Sequence, residues 1–390
     1  MDALLKNRRD NRNFYLLVAF GLLVVAAGLA AAHYMEEYGH IVTGMNNQIV
    51  WGMPHVFAIF MIVSASGVLN VASIGSVFGQ TPYKARAPLA GLLSIALLAG
   101  GLTVLMLDLG RPERVIVAAM HFNLKSVFAW NVFLYSGLFA FVGIYLWTLM
   151  ERRMNPWSKP AGLVVFAWRI VLTTGTGMIF AFLVARQAYG TALLPPMFIV
   201  MSFTWGLAVF LIVQAAMYGW NEMQLHPAIL KRLKNLLGLF VISVIYLVTA
   251  YHMTNLYFAR QSAFEHFILV DGGIYPVLFW GGYLLVGSLL PLFLIYFPGM
   301  GGSRHVLAAS ILVILGSFSL LYVFIVGGQA FPLSIFPGYE VTSSFGDGQI
   351  GQYAPSLPEI LLGMGGLGVA FLITTIGVRA LNFLPRDVAD

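Results

Sequence analysis

The sequence predicts an all-α integral membrane protein with about ten transmembrane helices, and three observations carry that prediction. Of its 390 residues, 59% are hydrophobic and only 9% are charged. A soluble domain carries roughly 25% charged residues, so this chain lacks the ions to cover a water-facing surface. Its apolar residues also fall in continuous runs, each close to the about 20 residues that a helix needs to cross a bilayer. The runs do not alternate, which excludes a transmembrane barrel. A mean hydropathy of +0.86 overrides the two or three globular domains that the length alone allows.

The spans read in order. Phe14–Met35 follows a basic start (Lys6, Arg8, Arg9, Arg12) and is too long for the apolar region of a signal peptide. Val50–Phe78 opens on WGMPH, Pro88–Leu109 ends on LDLG, and Ser126–Met150 is rich in aromatics. Leu163–Arg186 contains Arg169, and Pro195–Tyr218 and Asn235–Phe258 follow, the latter carrying YHMTN. Tyr275–Phe297, His305–Gly327 and Pro358–Leu381 complete the set. Glycines such as Gly67, Gly100, Gly101, Gly365 and Gly366 supply the close helix contacts that stand in for a hydrophobic drive in lipid. The whole chain, 1–390, reads as one membrane domain. Comparable span lengths suggest two four-helix bundles, 50–186 and 195–327, with 14–35 and 358–381 as flanking helices.

Lysine and arginine fall unevenly between the two sides, fifteen against five, with Arg169 inside a span. The positive-inside rule then puts both termini in the cytoplasm. The +6 net charge belongs to these membrane borders and is no nucleic-acid signal. On the outer side, the last loop, Gly328–Leu357, has no lysine or arginine and is rich in glycine, proline and aromatics. Loops of that length are usually functional or disordered. A flexible lid is one reading; a docking surface is preferred, because Phe331, Ile335, Phe336 and Tyr339 would be costly in water.

Cysteine is absent, which excludes disulfides, cysteine-ligated iron–sulfur clusters, covalent haem and a thiol nucleophile. No nucleotide-binding or zinc-protease motif is present. Chemistry is then sought among charges in expensive places. His55 near the outer end of the second span, Asp108 of the third, and Arg186, Gln187 and Tyr189 of the fifth reach one layer, beside Trp51, Phe57 and Trp130. An imidazole, a carboxylate and a phenol under aromatic walls suit a quinone, which needs an apolar slot, partners for two carbonyl oxygens and groups that carry protons.

Plainer readings compete with each of these. His55 would bond a carbonyl at a helix start, and Asp108 would pair with Arg111 or Arg114. Trp51 and Tyr189 would belong to the aromatic belt, and Arg186 would be a border anchor. Arg169 would snorkel to the headgroups; the alternative is the inner part of a proton path with Ser64, Ser66 and Asn70. His33, His55 and His252 are the available ligands for a b-type haem, but no spacing argues strongly for one.

The segments WGMPH, LDLGRPER with HFNLKSVFAWNVFLY, and MERRMNPWSKP resemble the NrfD/PsrC family of polysulfide reductase membrane subunits. The likeness spans most of the chain and is greatest to the ten-span DsrP branch, the membrane subunit of DsrMKJOP complexes. It implies a site for menaquinone or ubiquinone near the outer surface of the first bundle. In it His55 and Asp108 match the family's histidine and acid, and Tyr189 stands for its tyrosine. It also implies a periplasmic ferredoxin-like iron–sulfur partner (DsrO-like) and a bacterial inner membrane. The function expected is electron exchange between the quinone pool and that partner, with proton handling. An ion-translocating or secondary-transporter subunit and a passive membrane anchor are the alternatives. Transporter sites usually lie at the midplane, whereas the polar groups here collect at one end.

Overall fold

A computed structural model describes residues 8–381 and 383, apart from 222, 224 and 334–347. Among the described residues, ten helices are long and apolar enough to cross a membrane and no strand occurs. They are α1 (Arg8–Tyr38), α2 (Met53–Ser76), α3 (Pro82–Leu107), α4 (Val127–Met150) and α5 (Ser158–Ala181). They continue with α6 (Leu194–Trp220), α7 (Pro227–Tyr257), α8 (Ile274–Tyr296), α9 (Ser303–Ala330) and α10 (Leu357–Leu381).

Helix α2 is the hub. It is almost wholly buried, whereas α1 is largely uncovered and packs on α10. Around α2 stand α3, α5, α6, α9 and α10; α4 closes against α3 and α5, and α7 and α8 lie against α6 and α9. The α2–α6 crossing is backbone on backbone. A methyl on Gly67 would strike the Ser202 carbonyl oxygen, and one on Gly206 would strike Gly67 and Val68. Small residues thus set the approach, as they must where lipid is as apolar as leucine. Helix α2 also breaks at Val68, between Met53–Gly67 and Leu69–Ser76.

Several boundaries differ from those read in the sequence. Helix α7 begins at Pro227, well before Asn235, because Lys231, Arg232 and Lys234 ride on its first turns. Long basic side chains reach polar surroundings from a helix end, and Lys234 Nζ donates to Ile295 O at 3.3 Å. Helix α5 ends at Ala181, so Arg186 lies in the connection beyond it. Helix α8 is π-helical over Val277–Leu289, and α9 over Val323–Gly327. Ile335, Phe336 and Tyr339, with the chain termini 1–7 and 384–390, lie outside the described residues. Phe331 is not left bare: it packs on Phe264 and Phe267, with ring centroids 5.8 and 5.5 Å apart.

Candidate functional site

The site is built where α2 begins. Pro54 lies in its first turn, Gly52 is the extended residue before it, and His55 follows on the next position. A helix start leaves orphan N–H groups that need acceptors. Here a distant side chain, Tyr353, supplies one for Met53 N, and another, Gln329, holds the backbone just before the helix. Gln329, on the last turn of α9, accepts from Val50 N and Trp51 N through Oε1, both at 3.1 Å. Its Nε2 donates to Trp51 O at 2.9 Å and to Ile325 O at 2.8 Å. The Tyr353 hydroxyl accepts from Met53 N at 2.6 Å and donates to Glu359 Oε1 at 2.6 Å. Glu359 is fully buried, and its Oε2 accepts from Ser356 N at 2.7 Å and Gly44 N at 2.9 Å. Gly52 permits this crowding: a Cβ there would lie 2.5 Å from Glu359 Oε1.

On that platform His55 Nδ1 stands 3.0 Å from Asp108 Oδ2, the residue that caps α3. The Asp108 side chain is 3% exposed and that of His55 21%. The contact is close enough for charge pairing but off the line of a hydrogen bond, and Asp108 Oδ1 is buried with no partner among the described residues. Trp51 stacks over the imidazole at 5.9 Å and 25°, and its other neighbours are Phe180 at 5.6 Å and the half-exposed Phe128 at 6.3 Å. Asp108 therefore pairs with His55, not with Arg111 or Arg114, and the nearest acid to Arg114 is Glu113 at 4.0 Å. His55 faces this carboxylate and does not bond a carbonyl.

Tyr189 and Arg186 lie in the same layer but are spent on backbone. The Tyr189 hydroxyl donates to Phe324 O and Ile325 O at 3.0 and 3.1 Å, carbonyls of the π-helical turn. Its ring is 2% exposed against Phe180 and Phe324, so it is no belt residue. Burial raises its hydroxyl well above the ordinary phenol range, with Arg186 acting the other way. Arg186 donates to Gln329 O and Gln48 O, both at 2.7 Å, which makes it a tie between the end of α9 and the segment before α2 and not a border anchor. Burial lowers its guanidinium, opposed by Tyr189. Trp130 is 44% exposed and donates to Leu124 O at 2.5 Å, tying down the α3–α4 connection.

Arg169 and Asn70 form a separate cluster. Asn70 is 15 residues beyond His55 on α2, about 22 Å along a helix. Arg169 does not snorkel: it is 2% exposed, its Nη1 donates to Asn70 Oδ1 at 2.7 Å and Ser66 O at 3.1 Å, and Phe166 and Phe203 flank it.

Each candidate haem histidine stands beside a carboxylate: His33 near Glu37 at 3.9 Å, His55 near Asp108, and His252 near Glu265 at 2.5 Å. Sequence reasoning alone misses Gln329, Tyr353, Glu359 and Glu265. Only Glu359 has a local signal, the Ser356-x-x-Glu359 capping box.

Known proteins resemble this one over most of its length. The family model described as "Polysulphide reductase, NrfD" matches residues 41–333. An Hdr-like menaquinol oxidoreductase integral membrane subunit of Archaeoglobus fulgidus is 28% identical, over 98% of this chain and 96% of its own length. A putative dimethyl sulfoxide reductase membrane subunit of Halobacterium salinarum is 27% identical, over 94% and 91%. One of the polypeptides of the Wolinella succinogenes polysulfide reductase is 22% identical, over 73% and 96%.

Proposed function

Because this chain belongs to the NrfD family of polysulphide reductase membrane proteins, we propose that it is the quinone-interacting membrane subunit of a larger redox complex, with its site at His55 and Asp108. The observation that carries the reading is the buried acid with one unpartnered oxygen, paired to a partly exposed imidazole beneath an indole plane. Those groups fit a quinone head: an aromatic face for the ring, and a donor or acceptor for an oxygen. The relatives named for menaquinol oxidoreductase and polysulfide reductase support the same class.

When bound, a quinol supplies two electrons and two protons. Asp108 beside Nδ1 favours the imidazole tautomer with its proton on that nitrogen, which leaves Nε2 to accept a proton from a hydroxyl. The carboxylate then stabilises the imidazolium and takes its Nδ1 proton at Oδ2, which frees His55 to accept the second proton, and both leave through this pair. The electrons leave the chain, which has no cysteine to hold a cluster; a periplasmic iron–sulfur subunit of the DsrO kind, in a DsrMKJOP-like complex of a bacterial inner membrane, is the partner we assign. In this reading both termini are cytoplasmic, 50–186 forms the bundle that holds the site, and Arg169 with Asn70 belongs to the inner proton path.

The test is equilibrium binding of a short-tailed menaquinone or ubiquinone analogue to the intact complex. A hydrogen bond to a charged group contributes about 1.5–3 kcal/mol, so His55→Ala and Asp108→Asn should each weaken binding about 10- to 150-fold. Wild-type affinity in both variants overturns the placement.

A further inference from the structure

We propose that His252 and Glu265 form a second proton-carrying site, set among α6–α9 and separate from the His55–Asp108 pair. The proposal does not depend on the quinone reading.

Glu265 sits on a short helix, Ala259–His266, that follows α7, and its side chain is fully buried. His252 Nδ1 lies 2.5 Å from Glu265 Oε2, and Asn255 Nδ2 donates to Oε1 at 2.7 Å. The surroundings are apolar: the His252 ring meets Phe279 at 4.7 Å and Tyr251 at 4.9 Å. Beside it is a cavity of about 20 Å³ that Met197, Met201, Leu320 and Phe324 also line, which is room for about one water. A quinone does not fit there; a proton does.

The groups facing the pair from each neighbouring element are few. On α7 they are Tyr251, whose hydroxyl donates to Ala188 O at 2.5 Å, and Asn255. From the α5–α6 connection comes Tyr189, spent on α9 carbonyls. On α8 they are Phe279 and, beyond it, Tyr283, and α6 and α9 present apolar side chains at the cavity. Of the nearby charges, Arg260 is exposed and turned to Val184 O, and His266 pairs with Asp271 at 2.7 Å, both largely exposed. No lysine or arginine bonds Glu265 among the described residues.

With no fixed cation, two arrangements of the pair carry no net charge: carboxylate with imidazolium, and carboxylic acid with imidazole. Both hold one proton between Nδ1 and Oε2, and passing it between them moves no net charge into the apolar shell. A purely structural tie needs no ionisable group, since a glutamine would bond Asn255 and His252 without the cost of burying an acid. A buried acid kept beside an imidazole that stands on a membrane-spanning helix marks proton handling. His252 is 12% exposed, against none for Glu265, so the imidazole is the member of the pair nearer the protein surface.

The experiment is ¹⁵N NMR of the full chain, labelled at histidine nitrogens in lipid nanodiscs and titrated from about pH 5 to about pH 8. The His252 signals are identified by their loss in His252→Gln. The expected result is that they report gain and loss of a proton, and that Glu265→Gln moves the midpoint by roughly tenfold or more in proton concentration. If Glu265→Gln fails to assemble, Asn255→Leu, which keeps both members, should move it in measurable degree. Signals that stay fixed across the titration, or a midpoint indifferent to both variants, overturn the proposal. Quinone-analogue affinity separates the two readings: His252→Gln should leave it unchanged, and its loss in His55→Ala says nothing about the second site.

Discussion

Gln329 offers the sharpest perturbation of the α2 start, because one side chain holds three backbone groups there and a fourth on α9. Replacing it by leucine keeps the volume roughly but strands Val50 N, Trp51 N and Trp51 O. Stranding a buried polar group costs about 1–3 kcal/mol. Val50 is 51% exposed, so its N–H finds water or headgroups at little cost. Ile325 O keeps the Tyr189 hydroxyl as a donor. The loss is therefore concentrated on Trp51, and we expect about 1–3 kcal/mol of local order, with the indole no longer fixed over His55. If a quinone needs that plane in place, the cost of restoring it is met on binding, and affinity falls about 5- to 150-fold. The assay is analogue binding alongside the tryptophan emission of Gln329→Leu in the intact complex. Normal affinity with altered Trp51 emission would refute the part given to the indole, and unchanged emission would refute the tie itself.

Other outcomes follow from the same geometry. Tyr353→Phe removes the acceptor of Met53 N and the donor to Glu359, so thermal unfolding should show a loss of about 1–3 kcal/mol; an unchanged midpoint contradicts the knot. Gly206→Ala drives a methyl into the α2 backbone, where nothing flexible yields, and should cost at least the about 1–3 kcal/mol of an overpacked core in the same assay. Burial beside Glu359 raises the Tyr353 hydroxyl, and burial raises that of Tyr189. Both phenols stay protonated in the fold when an unfolded tyrosine ionises at about pH 10. Their contribution is thus complete below about pH 10 and is lost as pH rises beyond it; a tyrosinate absorbance step at about pH 10 that Tyr353→Phe removes from the folded protein would contradict this.

Long uncharged runs made the ten spans legible, since burial of backbone in lipid leaves few alternatives to a helix. The edges were less so where charge rides on a helix: Lys231, Arg232 and Lys234 read as a loop and belong to α7. His55, Asp108 and Trp51 were visible as polar and aromatic residues near span ends, and the fold brings them together. Tyr189 and Arg186 were visible for the same reason, yet both are consumed by carbonyls that the sequence does not display. Gln329 was invisible because its partners are backbone groups 278 and 279 positions away. Glu265 was hidden in ARQSAFEH, which has the composition of a polar loop; only the fold presses that segment against α7.

The buried ionisable groups divide by what surrounds them, and that division bears on function. Arg169 is met by acceptors and ring faces alone: Asn70 Oδ1, Ser66 O, Phe166 and Phe203. The two oxygens take hydrogen bonds from the guanidinium and none of these partners is itself ionisable, so the cluster offers a charge that biases a proton's passage and no second group to carry the proton. The two histidines each meet a carboxylate, an arrangement that is neutral overall with its proton on either member. Passing that proton between the two members brings no bare charge into lipid, whereas gain or loss of one changes the pair's net charge by one, so a dyad hands protons on more readily than it stores charge. If Arg169→Leu alters neither proton uptake nor assembly, the fixed charge has no part in the path and the dyads must act without it. If uptake falls while the His55 and His252 titrations persist, the cation sets the direction of traffic and the dyads carry it.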